Sequence, residues 1–74
     1  MALDDLYRSI QEHRLVQFMY ENQKGEISLR TCEGCEIKNG KFWGYDISKD
    51  GIRQFFLAMI SECILLETTF IPRF

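Results

Sequence analysis

The dipeptide Asn39-Gly40 constrains this chain more than any other feature, because it separates two stretches with the character of β-strands. Asn-Gly supplies the two positive-φ positions that a tight two-residue hairpin turn requires. The residues before it, 26–37, predict a long strand with a possible bulge at Gly34. The residues after it, 42–47, predict a second, shorter strand. The sequence therefore predicts an antiparallel hairpin around this turn.

The start of the chain has a helical period instead, and it predicts an α-helix over residues 3–13. Acidic side chains near its beginning and basic ones near its end suit the helix dipole. From Val16 the period changes to two, which predicts a half-buried strand over residues 16–20. The apolar positions that carry the helical period are Leu3, Leu6, Tyr7 and Ile10.

Two further strands are predicted downstream, at residues 52–57 and 63–70, after a turn at residues 49–51. Pro72 should end the pairing of the last strand. One helix followed by five short antiparallel strands predicts a mainly β fold of the SH3-like or Sm-like barrel kind. The 74 residues, 1–74, are predicted to form a single domain.

The cysteines do not supply an obvious way to stabilise so small a core, which rarely provides more than about 3–5 kcal/mol by itself. Cys32, Cys35 and Cys63 are an odd number and cannot all pair within one chain. The Cys32-Glu-Gly-Cys35 pair lacks the second ligand pair that a structural zinc site normally has. We expect no metal, no cofactor and small, mostly buried cysteine side chains.

Catalytic signatures are absent from the sequence. His13 has no companion histidine, no serine lies in a nucleophile elbow, and no glycine-rich loop could hold a phosphate. We therefore expect a protein that is not an enzyme. The charged N-terminus has no apolar run typical of a signal peptide, and no stretch could span a bilayer. These features predict a cytoplasmic protein.

The charge balance gives a weak signal for nucleic acid. The net charge is −2, which argues against a strongly basic binder dominated by phosphate attraction. Most basic residues nevertheless lie between Lys24 and Arg53, mixed with acidic ones. Lysines occupy the predicted hairpin ends, where they either keep the turns soluble or contact phosphates.

An aromatic cluster follows the central turn in the stretch Lys38-Asn-Gly-Lys-Phe-Trp-Gly-Tyr-Asp46. Strand alternation places Trp43 and Tyr45 on one face and Phe42 on the other. One face must fill the barrel. The other either packs in the core or against a subunit, or provides a surface on which bases stack.

The order of these residues resembles the WYL domain, an Sm-like small β-barrel found mostly in bacterial and phage proteins. The resemblance covers roughly residues 6–70. It implies a nucleic-acid or nucleotide ligand, and a location in a bacterial or phage-infected cell. The matching positions are Val16-x-Phe18-x-Tyr20, Gly25, Arg30, Gly40-Lys-Phe-Trp-Gly-Tyr45 and Arg53-x-Phe55-x-Leu57-x-x-Ile60.

The match to the family pattern is incomplete. The Trp-Tyr-Leu triplet of the family falls on Phe42, Trp43 and Gly44, so the leucine is missing. Two family arginines fall on Arg30 and Arg53. Other polar positions of the family are apolar here, which removes much of the implied ligand surface. The two later arginines fall on Phe56 and Met59, and the aspartate falls on Ala58.

These features predict an Sm-like barrel that binds single-stranded RNA or DNA. Phosphates would contact Arg30, Lys38, Lys41 and Arg53, and a base would stack on Trp43 or Tyr45. A structural or regulatory oligomerisation module without nucleic acid is the first alternative, favoured by the acidic pI of about 5.3. A small-ligand sensor is the second.

The run of apolar residues after residue 52 is longer than one small barrel needs. Sm-like barrels pair the fourth strand of one subunit with the fifth of the next, which also covers exposed strand edges. We therefore expect a homo-oligomeric ring, pentamer to heptamer, with residues 52–70 in the interface. The side chains predicted there are Phe55, Phe56, Leu57, Met59, Ile64 and Leu66.

Overall fold

The computed structural model describes residues 2–73 as one helix and five antiparallel strands, which confirms the predicted fold class. The strands form an open sheet in the order β4-β3-β2-β1-β5. None of the helical segments in residues 2–73 is long and apolar enough to cross a bilayer. The elements are α1 (Ala2–Glu12), β1 (Arg14–Glu21), β2 (Ile27–Lys38), β3 (Lys41–Asp46), β4 (Gly51–Phe56), a 3₁₀ turn (Leu57–Met59) and β5 (Ile60–Thr69).

The predicted central hairpin is confirmed. Lys38 pairs with Lys41 at the end of the β2–β3 ladder, so the turn is the two residues between them. Asn39 has φ 54° and Gly40 has φ 75°, the two left-handed conformations that such a turn requires. The bulge predicted near Gly34 is also present, because the register with β3 shifts between Gly34 and Glu36.

The sheet curls until its two ends approach each other. On β4, the Phe55 ring packs edge-on against Phe18 and Tyr20 of β1, with centroid separations of 5.1 and 4.9 Å. The backbone N–H of Phe56 donates to the Tyr20 hydroxyl at 3.1 Å. The 3₁₀ turn then leads directly into Ile60, which pairs with Tyr20 from the other side. The sheet is therefore barrel-like, although β4 and β5 form no ladder with each other within residues 2–73.

Helix α1 packs on β1, β2 and β5 and closes one side of the core. Ser9 fixes its position: the fully buried Oγ donates to the Arg14 carbonyl at 2.6 Å and accepts from the Gly34 N–H at 3.1 Å. A Cβ at Gly34 would lie 2.7 Å from that Oγ, so the close approach of the helix requires glycine here. The buried apolar side chains are Leu6, Val16, Phe18, Cys32, Phe42 and Phe55.

The fifth strand differs from its predicted bounds, since it begins at Ile60 rather than at residue 63. Its register with β1 shifts between Gln17 and Met19, where Glu62 takes φ 49°. This bulge breaks the alternation of side chains that sequence reasoning uses to find a strand. The two halves of β5 therefore do not share one pattern.

One predicted interface residue is corrected. Phe55 is 1% exposed and lies in the core, so it has no surface to offer to a second copy. Phe56 and Met59 are each 46% exposed and Ile64 is 57% exposed. Leu57 and Leu66 are half-buried. The interface role of these last five residues stays a prediction.

The three cysteines are free thiols. Cys32 lies in the core, and Cys35 and Cys63 are half-buried. Burial raises the pKa of Cys63 to about 11, so its thiol is protonated and unreactive at neutral pH. No group of three or more potential metal ligands occurs in the described part of the chain.

Candidate nucleic-acid interface

Trp43 lies on the outer face of the sheet and is only half-buried. The β3–β4 register pairs it with Gln54, and the β2–β3 register pairs it with Glu36. It forms one wall of a surface depression of about 470 Å³. The other residues lining this depression are Lys41, Ile52, Arg53, Gln54 and Phe56. Trp43 is therefore an aromatic side chain in contact with open surface, as a stacking platform must be.

A second depression, of about 310 Å³, lies on the other side of Trp43. It is lined by Glu36, Lys38, Asn39, Lys41 and Trp43. Lys41 and Trp43 line both depressions and separate them. Of the charged side chains that line this part of the described surface, three are cationic and only Glu36 is acidic. We call this surface, Lys38, Lys41, Trp43 and Arg53, the tryptophan face.

Lys41 is positioned by an aromatic neighbour. Its partner across β3–β4 is Phe56, and its Nζ lies 5.4 Å from the centroid of that ring. The contact is a cation–π interaction on the surface, where such pairs contribute about 0.5–1 kcal/mol. It holds the ammonium group on the side of β3 that carries Trp43, where Lys41 lines both depressions. Phe56, at a position where the resembled domains have an arginine, therefore supports a cation instead of supplying one.

Arg53 borders the tryptophan face from the edge strand of the sheet. It is exposed on β4 and lines the depression beside Trp43, although it pairs with Gly44, so the pleat directs its side chain to the side of Phe55, opposite to Trp43. Burial raises the pKa of the Cys32 thiol, and Arg30 and Arg53 both act against that shift. The positive charges of the two arginines therefore act on the same thiol.

Arg30 differs from Arg53 because its charge is already neutralised. Its Nη1 donates to Asp46 Oδ2 at 2.9 Å, with the two side chains 14% and 0% exposed. Its Nε donates to Ser28 Oγ at 3.0 Å, and its guanidinium lies 5.7 Å from the Phe55 centroid. The structure gives Arg30 a carboxylate partner, so we leave it out of the tryptophan face.

Tyr45 does not present a free ring. It is 9% exposed, and the guanidinium of Arg73 lies 4.0 Å from its ring centroid. Its hydroxyl donates to Asp50. The stacking of a base on Tyr45 stays a prediction; in this structure the guanidinium of Arg73 occupies the ring face. Sequence reasoning missed Arg73, and no local signal near Tyr45 could have found a partner so distant along the chain.

Gly44 stands where the resembled Trp-Tyr-Leu triplet has its leucine, and the packing around it explains the difference. A Cβ at Gly44 would lie 2.9 Å from Phe42 Cε2 and 3.1 Å from Cys32 Cβ. Gly44 is a buried residue of β3, where any side chain would displace the core.

No protein-family description and no curated protein sequence match the chain. Solved structures do match it. One of them is the proteasome accessory factor B/C (PafBC) of Arthrobacter aurescens, with a TM-score of 0.82 and 22% sequence identity. The match covers 92% of this chain but only 11% of that chain, so the two share a fold over one small segment.

Proposed function

We propose that this chain is a WYL-type, Sm-like domain that binds single-stranded RNA or DNA through the tryptophan face. The observation that carries the proposal is the half-buried Trp43 ring between two depressions that are lined by Lys38, Lys41 and Arg53. The sequence resemblance to WYL domains supports the same class of ligand, and the fold shared with a PafBC segment supports a compact domain of this size.

The chemistry of the tryptophan face suits a single strand better than a duplex. An unpaired base can stack on the indole, which contributes about 1–3 kcal/mol per base. Three cations can neutralise neighbouring phosphates, and for single strands this predicts a salt slope of about −2. So few contacts predict weak binding by one copy of the domain. Repetition of the site in an oligomer would raise the overall affinity without new contacts.

A homo-oligomeric ring, pentamer to heptamer, is the assembly we propose for this purpose. The two outermost strands of the sheet, β4 and β5, are its unpaired edges within the described chain. Arg53 lies on the β4 edge, and the exposed Glu62 and Glu67 lie on β5. Opposite charges on the two edges favour head-to-tail pairing of β4 with β5 over pairing of like edges.

Two alternatives remain, and each predicts a different result. A structural or regulatory oligomerisation module is favoured by the exposed apolar side chains Phe56, Met59 and Ile64. A small-ligand sensor is favoured by the depression of about 470 Å³ beside Trp43, which is large enough for a nucleotide.

Intrinsic fluorescence tests these functions directly, because Trp43 is the one tryptophan in the sequence. We expect single-stranded oligonucleotides to quench its emission saturably, and duplexes of the same sequence to do so much less. Quenching by free nucleotides but not by oligonucleotides would favour the sensor. An oligomer whose emission is unchanged by either ligand would favour the assembly module.

A further inference from the structure

The last described residues of the chain end in a cleft on the opposite side of β3 from the core. The cleft is formed by the Tyr45 ring and the Glu33 carboxylate, which face each other across the β2–β3 ladder. Arg73 fills it with two parallel hydrogen bonds, Nε to Glu33 Oε1 at 3.0 Å and Nη2 to Oε2 at 3.2 Å. Its guanidinium lies 4.0 Å from the Tyr45 centroid.

The side chains that form the cleft are more buried than the arginine that fills it. The Glu33 side chain is 9% exposed and Tyr45 is 9% exposed, whereas the Arg73 side chain is 51% exposed. Tyr45 is fixed by its hydrogen bond to Asp50. The hydrogen bond from Glu33 supports the charged form of Arg73 and raises its pKa, and the negative charge of Asp50 acts in the same direction. One face is aromatic, and two carboxylates supply negative charge.

The segment that carries Arg73 is held loosely. Its last backbone hydrogen bond in the described chain runs from the Phe70 N–H to the His13 carbonyl at 2.8 Å. The Phe70 ring contacts His13 at a centroid distance of 5.7 Å. Beyond Phe70, Ile71 is 89% exposed and Pro72 is exposed. Arg73 is thus attached by its side chain, and an ion pair with one exposed partner is a weak restraint.

We propose that the Glu33–Tyr45 cleft is an arginine-binding site, which the chain fills with its own Arg73 and which accepts the arginine side chain of another polypeptide when Arg73 withdraws. Withdrawal leaves the two Glu33 oxygens without the guanidinium that they bind here, so an arginine from another chain can restore the same paired hydrogen bonds. A planar guanidinium satisfies both carboxylate oxygens and the ring face together, which an ammonium group cannot do.

The site is distinct from the tryptophan face in the charge it selects. Glu33 and Asp50 repel phosphates, so exposure of Tyr45 would create a site for cations and not for nucleic acid. Tyr45 and Ile52 are paired across β3–β4, and Trp43 is two residues along the same outer face. A peptide arginine in the cleft would therefore place its chain close to the tryptophan face. The proposal stands whether or not the chain binds nucleic acid.

Chemical rescue of an emptied cleft tests the proposal. Arg73→Ala removes the internal arginine, and N-acetyl-L-arginine amide is then titrated while the thermal unfolding midpoint is measured. We expect a saturable rise in the midpoint, which N-acetyl-L-lysine amide at equal concentration does not reproduce. The double variant Arg73→Ala/Glu33→Gln should show no rise with either compound.

A peptide-binding experiment tests whether Arg73 competes with an arginine from another chain for the cleft. A labelled arginine-containing peptide should bind Arg73→Ala more tightly than the unmodified chain. If Arg73 occupies the cleft about nine-tenths of the time, the difference in affinity is about tenfold. Should Arg73→Ala fail to fold, Arg73→Lys serves in its place, because lysine keeps the charge but cannot make the two parallel hydrogen bonds. Equal rescue by the lysine compound, or rescue that persists without the Glu33 carboxylate, would overturn the arginine site.

Discussion

The carboxylate of Asp46 is completely buried, and the Nη1 of Arg30 lies 2.9 Å from it. Ser48 adds hydrogen bonds to the same carboxylate from its backbone N–H, at 3.1 Å, and from its hydroxyl, at 2.9 Å. The register places Asp46 opposite Cys32 on β2, two residues from Arg30. The sequence resemblance suggests that Arg30 binds a ligand. In the structure, however, Arg30 forms an ion pair with the buried carboxylate of Asp46.

The first prediction is that Arg30→Ala lowers stability rather than binding. Loss of one partner of a buried ion pair leaves an uncompensated charge, which costs about 3–5 kcal/mol. The 14% exposure of Arg30 places the expected loss near the lower end of that range, about 3 kcal/mol. Urea unfolding would measure it. Arg53→Ala is the matched control, since Arg53 is exposed and should change the unfolding free energy little. Equal effects of the two substitutions would contradict the structural role of Arg30.

The second prediction concerns acid stability. Burial of Asp46 tends to raise its pKa, but hydrogen bonds from Ser48 and Arg30 outweigh this effect, so its pKa lies below the usual value for an aspartate. A carboxyl whose pKa is lower in the folded state contributes stability above its unfolded pKa and loses it as pH falls through the folded value. We expect the unfolding free energy to decline as the pH falls below about 4.

The variant Asp46→Asn tests whether Asp46 causes this pH dependence of the unfolding free energy. The variant should be less stable at pH 7, and the gap to the unmodified chain should narrow as the pH falls. The measurement is urea unfolding at a series of acidic pH values. Parallel curves with a constant gap would show that Asp46 does not titrate in this window.

The third prediction is that the tryptophan face, and not Arg30, sets nucleic-acid affinity. Trp43→Ala should weaken single-strand binding by about 1–3 kcal/mol through loss of stacking. Lys41→Ala should weaken binding to all sequences alike and reduce the magnitude of the salt slope by about 0.7, the contribution of one phosphate contact to a single strand. Fluorescence anisotropy with a labelled oligonucleotide over a salt series gives both quantities. Lys24→Ala is the control, because Lys24 is an exposed turn lysine outside the tryptophan face. An equal loss for Lys24→Ala would point to nonspecific charge.

Much of the fold follows from local sequence. Asn39-Gly40 predicted the central turn because only positive-φ residues fit it, and both residues have positive φ. The spacing of apolar residues changes near His13 from the helical period to the period of a strand. This change predicted the end of the helix, since each period is typical of one kind of element. Such signals depend on neighbours along the chain, and one sequence is enough to find them.

The side-chain environment of the site depended on contacts that local sequence does not contain. Tyr45 alternates onto the same outer face as Trp43, yet only Tyr45 is covered, because Arg73 returns from the other end of the chain. Phe55 and Phe56 are adjacent aromatics, and the pleat sends one into the core and the other to the surface. Sequence reasoning placed both in an interface because it could not assign the phase of the β4 alternation.

The fourth prediction concerns the packing of helix α1 on the bulge of β2. At Gly34, an added Cβ would lie 2.7 Å from Ser9 Oγ and 3.2 Å from the Ile10 backbone nitrogen, so the helix would have to move. We expect Gly34→Ala to reduce the unfolding free energy by about 1–3 kcal/mol. Gly51→Ala is the matched control, because the nearest atom to its added Cβ is the Lys49 carbonyl oxygen at 3.9 Å. Thermal or urea unfolding would compare them, and a tolerated Gly34→Ala would contradict this description of the contact.

The last prediction is the ring. The edges of the sheet are β4 and β5, and apolar side chains near them remain exposed in a single copy: Phe56 and Met59 at 46% and Ile64 at 57%. Each of these side chains is already about half buried, so its complete burial in a subunit contact contributes about half of the 1.5–3 kcal/mol for a fully exposed one, and several together can stabilise an interface. A head-to-tail contact must close into a ring or continue as a filament. We expect sedimentation equilibrium at micromolar concentration to give a closed oligomer, pentamer to heptamer.

The variant Ile64→Glu should dissociate the oligomer without unfolding the subunit, because Ile64 lies outside the core. Lys24→Glu, at an exposed turn, should leave it intact. A folded monomer near 8.8 kDa for the unmodified chain would refute the ring while leaving the fold unaffected.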